Sequence, residues 1–99
     1  MASVRAAGPG RIEVEGDLLF DHAEAAAASG RALVAAAGGQ PVTVSLAGVG
    51  RANSAGAAVL IEWQRAAVAA GGSLVVVDVP PRVAGILRLS GLDSLLALR

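Results

Sequence analysis

Residues 42–78 read VTVSLAGVGRANSAGAAVLIEWQRAAVAAGGSLVVVD, and two apolar runs within them flank a helical pattern. The runs, residues 42–46 and 74–77, are short, nearly continuous and rich in valine, which is typical of buried strands with helices on both faces of the sheet. Residues 55–70 carry the helical pattern, and a Gly-Gly pair ends it. A strand, a helix and a second strand in this order predict a βαβ unit with parallel strands.

The residues before this unit predict two strands and a helix. Residues 3–7 are the predicted edge strand, and residues 11–15 alternate polar and apolar side chains after a Gly-Pro-Gly turn. Asp21 is the predicted N-cap of a helix over residues 22–37, because an acidic residue follows it three positions later. This helix is almost pure alanine, so we expect its packing to be close and shallow.

The residues after the unit predict a third helix and a packed tail. Pro81 is a favoured first-turn residue and begins the predicted helix. Residues 92–98 are apolar enough to pack back on the body of the protein. We therefore expect one α/β domain over residues 1–99, with a mixed, mostly parallel sheet of four to five strands and three or four helices.

The composition excludes several classes of function. Hydrophobic residues make up 55% of the 99 residues and charged residues 16%, which is typical of a folded chain. Eight basic residues balance eight acidic ones, so the chain lacks the basic excess of proteins that bind nucleic acid. There is no cysteine for a disulfide framework, and a reducing cytoplasm is the expected location. The longest charge-free run, residues 32–50, is interrupted by Gly-Gly-Gln-Pro, so we expect no direct membrane insertion.

The loop after residue 46 is the first candidate for a site, because ligands gather at the carboxyl ends of parallel strands. Gly48 and Gly50 start a dinucleotide fingerprint, but its third glycine would have to replace Asn53, and the chain has no lysine for a phosphate loop. Ser54 lies in an approximate nucleophile elbow, yet the only histidine, His22, precedes it in the chain. We therefore expect a protein that is not an enzyme, with no catalytic residue, no cofactor, no metal site and no small-molecule substrate.

Ser54 has two compatible interpretations. The first is the N-cap of the helix over residues 55–70, with Asn53 as the alternative cap. The second is a phosphate acceptor, because the positive end of the helix dipole would stabilise a phosphate added to the hydroxyl.

Residues 42–78 resemble the STAS domain, the fold of sulfate-transporter tails and anti-sigma-factor antagonists. The family's pattern is a strand, a loop ending in Asp-(Ser/Thr)-x-Gly, a helix with apolar first turns, a glycine turn and a hydrophobic strand. The loop here ends in NSAG at residues 53–56, and residues 83–92, VAGILRLSGL, are similar to the family's last helix. One position departs from the pattern, since Asn53 stands where the family usually has aspartate.

The resemblance implies a binding protein of one of two stand-alone types, and Ser54 matches the functional hydroxyl of both. One type is the small cytoplasmic STAS subunit of the Mla-type phospholipid transporter of Gram-negative bacteria, which maintains outer-membrane lipid asymmetry. That subunit binds the ABC ATPase, in a complex with permease and lipid-binding subunits, and is peripheral to the inner membrane through this partner. The other type is an anti-sigma-factor antagonist that a partner kinase phosphorylates at the serine. An antagonist usually keeps the aspartate, so Asn53 favours the transporter subunit.

The helix over residues 55–70 also carries two apolar stripes, which a single sheet cannot both bury. One stripe contains Trp63 and the other contains Ile61 and Val68. Either the two form one broad buried face, or one stripe, with an exposed Trp63 as its anchor, meets another protein. The predicted partner-binding residues are Arg51, Asn53, Ser54, Ala55, Gly56 and Trp63.

Overall fold

The computed structural model describes residues 2–99, which form five strands and three helices. The predicted order of strands and helices is confirmed. The elements are β1 (Ala2–Ala6), β2 (Arg11–Leu18), α1 (Phe20–Ala36), β3 (Val42–Ala52), α2 (Ser54–Ala69), β4 (Leu74–Val77), α3 (Pro81–Leu89) and β5 (Ala97–Leu98).

The strands form one sheet in the order β1-β2-β3-β4-β5. β1 pairs antiparallel with β2, and the other three pairings are parallel, so the predicted mixed, mostly parallel sheet is confirmed. β5 lies beside β4 and Leu96 is buried, as expected for a tail that packs back on the body. Within residues 2–99, no helix has both the length and the apolar character needed to cross a membrane.

The helices lie side by side on one face of the sheet, which corrects the expectation that both faces are covered. α1 contacts β1 and β2, while α2 contacts β3 and β4 and lies between α1 and α3. Burial alternates along the strands, so that Val42, Val44 and Leu46 are buried whereas Val75 and Val77 are only partly buried. The nearly continuous valines of β4 suggested that both faces of the strand are buried, but valine also fits a half-exposed pleated surface.

β3 is twice as long as predicted and replaces most of the expected loop. It continues to Ala52 because β2 also continues, to Leu18, and the two strands pair along their whole length with two register shifts. The glycines in this part serve close packing: a Cβ on Gly48 would lie 2.6 Å from Cγ of Glu15, and a Cβ on Gly50 would lie 2.9 Å from a carboxylate oxygen of Asp17.

The predicted N-cap of α1 is wrong. The helix begins at Phe20, its N-cap is Leu19, and no side chain caps it. Asp21 lies inside the first turn instead, where its negative charge still interacts favourably with the positive end of the helix dipole.

Trp63 is not an exposed anchor, so the prediction that it meets another protein is wrong. Its side chain is 0% exposed, and its indole N–H donates to the carbonyl of Ala27 in α1 at 3.1 Å. The indole ring occupies the space where Gly30 has no side chain. The alanines and glycine of α1 therefore form a shallow face that accepts the largest side chain of α2, and the Trp63 stripe belongs to the core.

Candidate functional site

The junction between β3 and α2 carries five of the six residues predicted to bind a partner. Asn53 alone separates the two elements, in an extended conformation, and its side-chain oxygen accepts the N–H of Ala55 at 3.0 Å. Its main-chain carbonyl accepts from Gly56 at 3.0 Å and Ala57 at 3.3 Å. Asn53 is thus the N-cap, which confirms the alternative cap and corrects the first choice, Ser54, which is the first residue of the helix.

Ser54 is exposed at the amino end of α2. Because Asn53 provides the cap, the Ser54 hydroxyl forms no hydrogen bond with any other residue of the described chain. It lies at the positive end of the helix dipole, where an incoming acceptor or anion is stabilised. The hydroxyl is therefore free to donate to, or accept from, another molecule.

Loss of the Asn53 cap gives a direct test of this local structure. We expect Asn53→Ala to lower the free energy of unfolding by about 1 kcal/mol, because the N–H of Ala55 loses its acceptor at the start of the helix. Asn53→Asp should keep the native stability or raise it slightly, because aspartate caps equally well and adds a negative charge at the helix amino end. Urea denaturation measures both. Equal stability of the alanine variant and the native protein would show that the cap contributes nothing.

Asp17 and Arg51 connect the ends of β2 and β3 beside this junction. The Asp17 carboxylate accepts the backbone N–H of Arg51 at 2.9 Å and its guanidinium at 3.2 and 3.3 Å. Beside this pair, the N–H of Asn53 donates to the carbonyl of Leu18 at 3.3 Å. These contacts hold the carboxyl ends of the two strands together. They therefore fix the position of Asn53, the residue before Ser54.

The same contacts predict a pH response. The backbone hydrogen bond from Arg51, followed by that from its side chain, holds the pKa of the Asp17 carboxyl below its usual value. A lowered folded-state pKa means that this stabilisation is complete above the unfolded-state pKa, about 4, and is lost as the pH falls through the folded-state pKa. We expect an NMR titration of the Asp17 carboxyl carbon to show a midpoint below about 4. A midpoint at or above that value would contradict the contact.

Gly56 allows α2 to approach the end of β2. A Cβ at this position would lie 2.9 Å from both Cβ and the carbonyl oxygen of Leu18. Leu18 is buried and its carbonyl is fixed by Asn53, so neither atom can move away. Gly56 therefore determines how close the first turn of α2 lies to the sheet, and it is not itself exposed for contact with a partner.

An apolar groove beside Ser54 is a feature that the sequence analysis missed. It lies between α1 and α2, has a volume of about 560 Å³ and has Phe20 on its wall, with 71% of that side chain exposed. Ala55, the neighbour of Ser54, also lines it, and an ion pair between Arg31 and Glu62 at 3.2 Å adds charged groups to its lining. A groove with an exposed aromatic residue on its wall is suited to binding another protein.

Asp17 was also missed, although one signal pointed to it. β2 and β3 were both predicted as strands, and parallel neighbours end at the same edge of a sheet, which brings Asp17 to Arg51 once both strands are extended.

Among residues 2–99, no group of three or more His, Cys, Asp and Glu side chains is placed to hold a metal ion. The groups present at the junction are the Ser54 hydroxyl, the apolar lining of the groove and the Asp17–Arg51 ion pair.

Solved structures with the same fold include anti-sigma factor antagonists. One from Mycobacterium paratuberculosis superposes with a TM-score of 0.82 at 22% identity, covering 99% of this chain and 85% of its own. SpoIIAA in its unphosphorylated form gives 0.70 at 10% identity, covering 100% and 87%. Its phosphorylated form, described as a Bacillus cell fate determinant, gives 0.70 at 13% identity, covering 100% and 91%. At these identities the likeness shows the fold, and the predicted STAS-like α/β fold is confirmed.

The sequence comparisons assign the family. A search of curated proteins finds no match. The model of the STAS_2 family, described as "Mlab, STAS domain", matches residues 1–97, nearly the whole chain. Together with the five-stranded mixed sheet and its three helices, this match identifies the protein as a member of the STAS_2 family of STAS domains.

Proposed function

We propose that the protein is the non-catalytic STAS subunit of a phospholipid-transporting ABC complex, where it binds and stabilises the cytoplasmic ATPase subunit. The observation that carries the proposal is the exposed Ser54 hydroxyl, which has no hydrogen-bond partner in the described chain. By the resemblance of the NSAG loop, this hydroxyl matches the functional hydroxyl of the Mla-type subunits. The family description over residues 1–97 points in the same direction. In this role the protein is cytoplasmic and reaches the inner membrane only through its partner.

The geometry of the junction suits a fixed docking surface. Asn53 and the Asp17–Arg51 contact hold Ser54 in place before a partner arrives, so little conformational entropy is lost on binding. Phe20 adds exposed apolar area to the groove that Ala55, the neighbour of Ser54, also lines, and the Asp17–Arg51 ion pair adds polar groups at the junction. A rigid surface of this kind stabilises one arrangement of the ATPase because it binds that arrangement more tightly than the others.

An anti-sigma-factor antagonist is the second candidate, and the structural likeness favours it. SpoIIAA has been solved in a phosphorylated form with the same fold. An exposed serine hydroxyl at a helix amino end is accessible to a kinase, and an added phosphate would change binding through its charge. Asn53 argues for the transporter subunit, because the aspartate usual in kinase-controlled antagonists is replaced here by a neutral cap.

Affinity purification from the native cell at physiological salt separates the two candidates. The tagged native chain should co-purify with an ABC ATPase and its permease, identified by mass spectrometry. Recovery of a kinase-like anti-sigma factor, followed by addition of one phosphate to the native chain but not to Ser54→Ala, would establish the second candidate instead.

A further inference from the structure

A second apolar surface lies on the other side of α2, facing the C-terminal segment. It is a groove of about 410 Å³ between Ile61 and Val68 of α2 and Leu95. Val68 is 61% exposed and Leu95 is 55% exposed, although both are fully apolar. Only one helix and one residue of the tail contribute the apolar walls, so the groove is too open to enclose a small molecule. It can accept apolar side chains that project from another protein.

The arginine at this groove, Arg65, differs from the arginines of the first part of the chain, which are all paired. Residues 1–62 contain four arginines and six carboxylates, and each of these arginines forms an ion pair in the structure. Residues 63–99 contain four arginines and only two aspartates, one of which, Asp78, accepts a hydrogen bond from Ser45. Within the described chain none of these four arginines has a carboxylate within 4.0 Å. One of them, Arg65, lines the groove.

The groove is continuous with the Ser54 surface. At 3.6 residues per turn, Ser54, Ile61, Arg65 and Val68 fall within an arc of about 60° on α2. Ser54, Arg65 and Val68 are exposed and Ile61 is partly buried, so the four follow one side of the helix from its first turn to its last. A partner that contacts Ser54 and lies along α2 would therefore meet the groove next.

We infer that the groove formed by Ile61, Val68 and Leu95 binds an amphipathic, acidic segment of the same ATPase partner, whose carboxylate pairs with Arg65. This inference rests on the proposed function and extends its interface along α2. The apolar side chains of the segment fill the groove, and the positive charge of Arg65 in its lining favours an acidic residue beside them. The carboxylate would supply the partner that Arg65 lacks.

The test uses the purified ATPase subunit that co-purifies with the native chain, and measures its dissociation constant by calorimetry. We expect the double variant Val68→Ser/Leu95→Ser to weaken binding at least about tenfold, and Arg65→Glu to weaken it by a similar factor while reducing the salt dependence. Leu89→Ser is the matched control for lost apolar area, because Leu89 is 92% exposed on α3 outside the groove. Arg82→Glu is the control for reversed charge, since Arg82 is exposed on α3.

The outcomes separate this inference from the proposed function. If the groove variants bind like the native chain while Ser54→Arg does not, the groove is not part of the interface and the proposed function remains. Absence of any binding by the native chain overturns both. If the groove variants keep ATPase binding but lose self-association in solution, or lose binding to anionic phospholipid vesicles, the groove serves a second copy or a lipid surface, which also overturns the inference.

Discussion

Gly30→Ala is expected to lower the free energy of unfolding by up to about 3 kcal/mol, a large effect for the addition of one methyl group. The new Cβ would overlap the indole ring of Trp63, which is completely buried and cannot move outward. Overpacking of this kind costs about 1 to 3 kcal/mol, and displacement of the ring also breaks the hydrogen bond to Ala27, worth about 1 kcal/mol. The higher helix propensity of alanine returns only about 1 kcal/mol.

Urea denaturation measures this effect, and the chain provides a matched control. Gly85 is also a helical glycine, but nothing lies within 4 Å of the position of its Cβ, so Gly85→Ala should raise stability by up to about 1 kcal/mol. In a Trp63→Ala background, Gly30→Ala should cost almost nothing, because its methyl group enters the space that the indole leaves. Equal effects of Gly30→Ala in the two backgrounds would contradict the proposed contact between α1 and α2.

Ser54→Arg is expected to weaken binding to the ATPase at least about 100-fold, which is the largest effect we expect on function. A long charged side chain at the centre of the interface would hold the partner away from α2 and would lose its own solvation. Ser54→Ala should weaken binding less, because it removes one hydrogen bond and adds no bulk. Both variants should fold, since Ser54 is exposed and Asn53 provides the helix cap.

The control for Ser54→Arg is Ser29→Arg. Ser29 is likewise an exposed helical serine, but it lies on α1 and lines neither groove. Its substitution should leave the dissociation constant within about twofold of the native value. If the two arginine variants weaken binding equally, the effect comes from added positive charge in general, and Ser54 has no special position in the interface.

The sequence alone predicted the order of strands and helices and the position of Ser54 at the start of α2, because both depend on local signals. The apolar run at β4, the helical spacing of α2 and the proline at the start of α3 each act within a few residues. The NSAG motif likewise placed Ser54 at the amino end of a helix. The prediction gave Ser54 as the first choice of N-cap, whereas the N-cap is Asn53. Both are good capping residues, and only the backbone conformation decides between them.

The features that the sequence did not predict all depend on contacts between distant segments. The Asp17–Arg51 pair needs the full length of β2 and β3 and two register shifts between them. The burial of Trp63 depends on Gly30, thirty-three residues earlier in the chain. Helical periodicity showed two apolar stripes on α2, but it could not show which of them faces the alanine-rich surface of α1.

Site-specific crosslinking from position 54 tests most directly the claim that this surface binds an ABC ATPase. The chain has no cysteine, so Ser54→Cys and Ser29→Cys each give a single attachment point for a photoreactive maleimide. In extracts of the native cell, we expect the probe at position 54 to crosslink to an ABC ATPase and the probe at position 29 to leave that ATPase unlabelled. A crosslink from position 54 to an anti-sigma factor, or ATPase labelling that is equal from both positions, would contradict the claim.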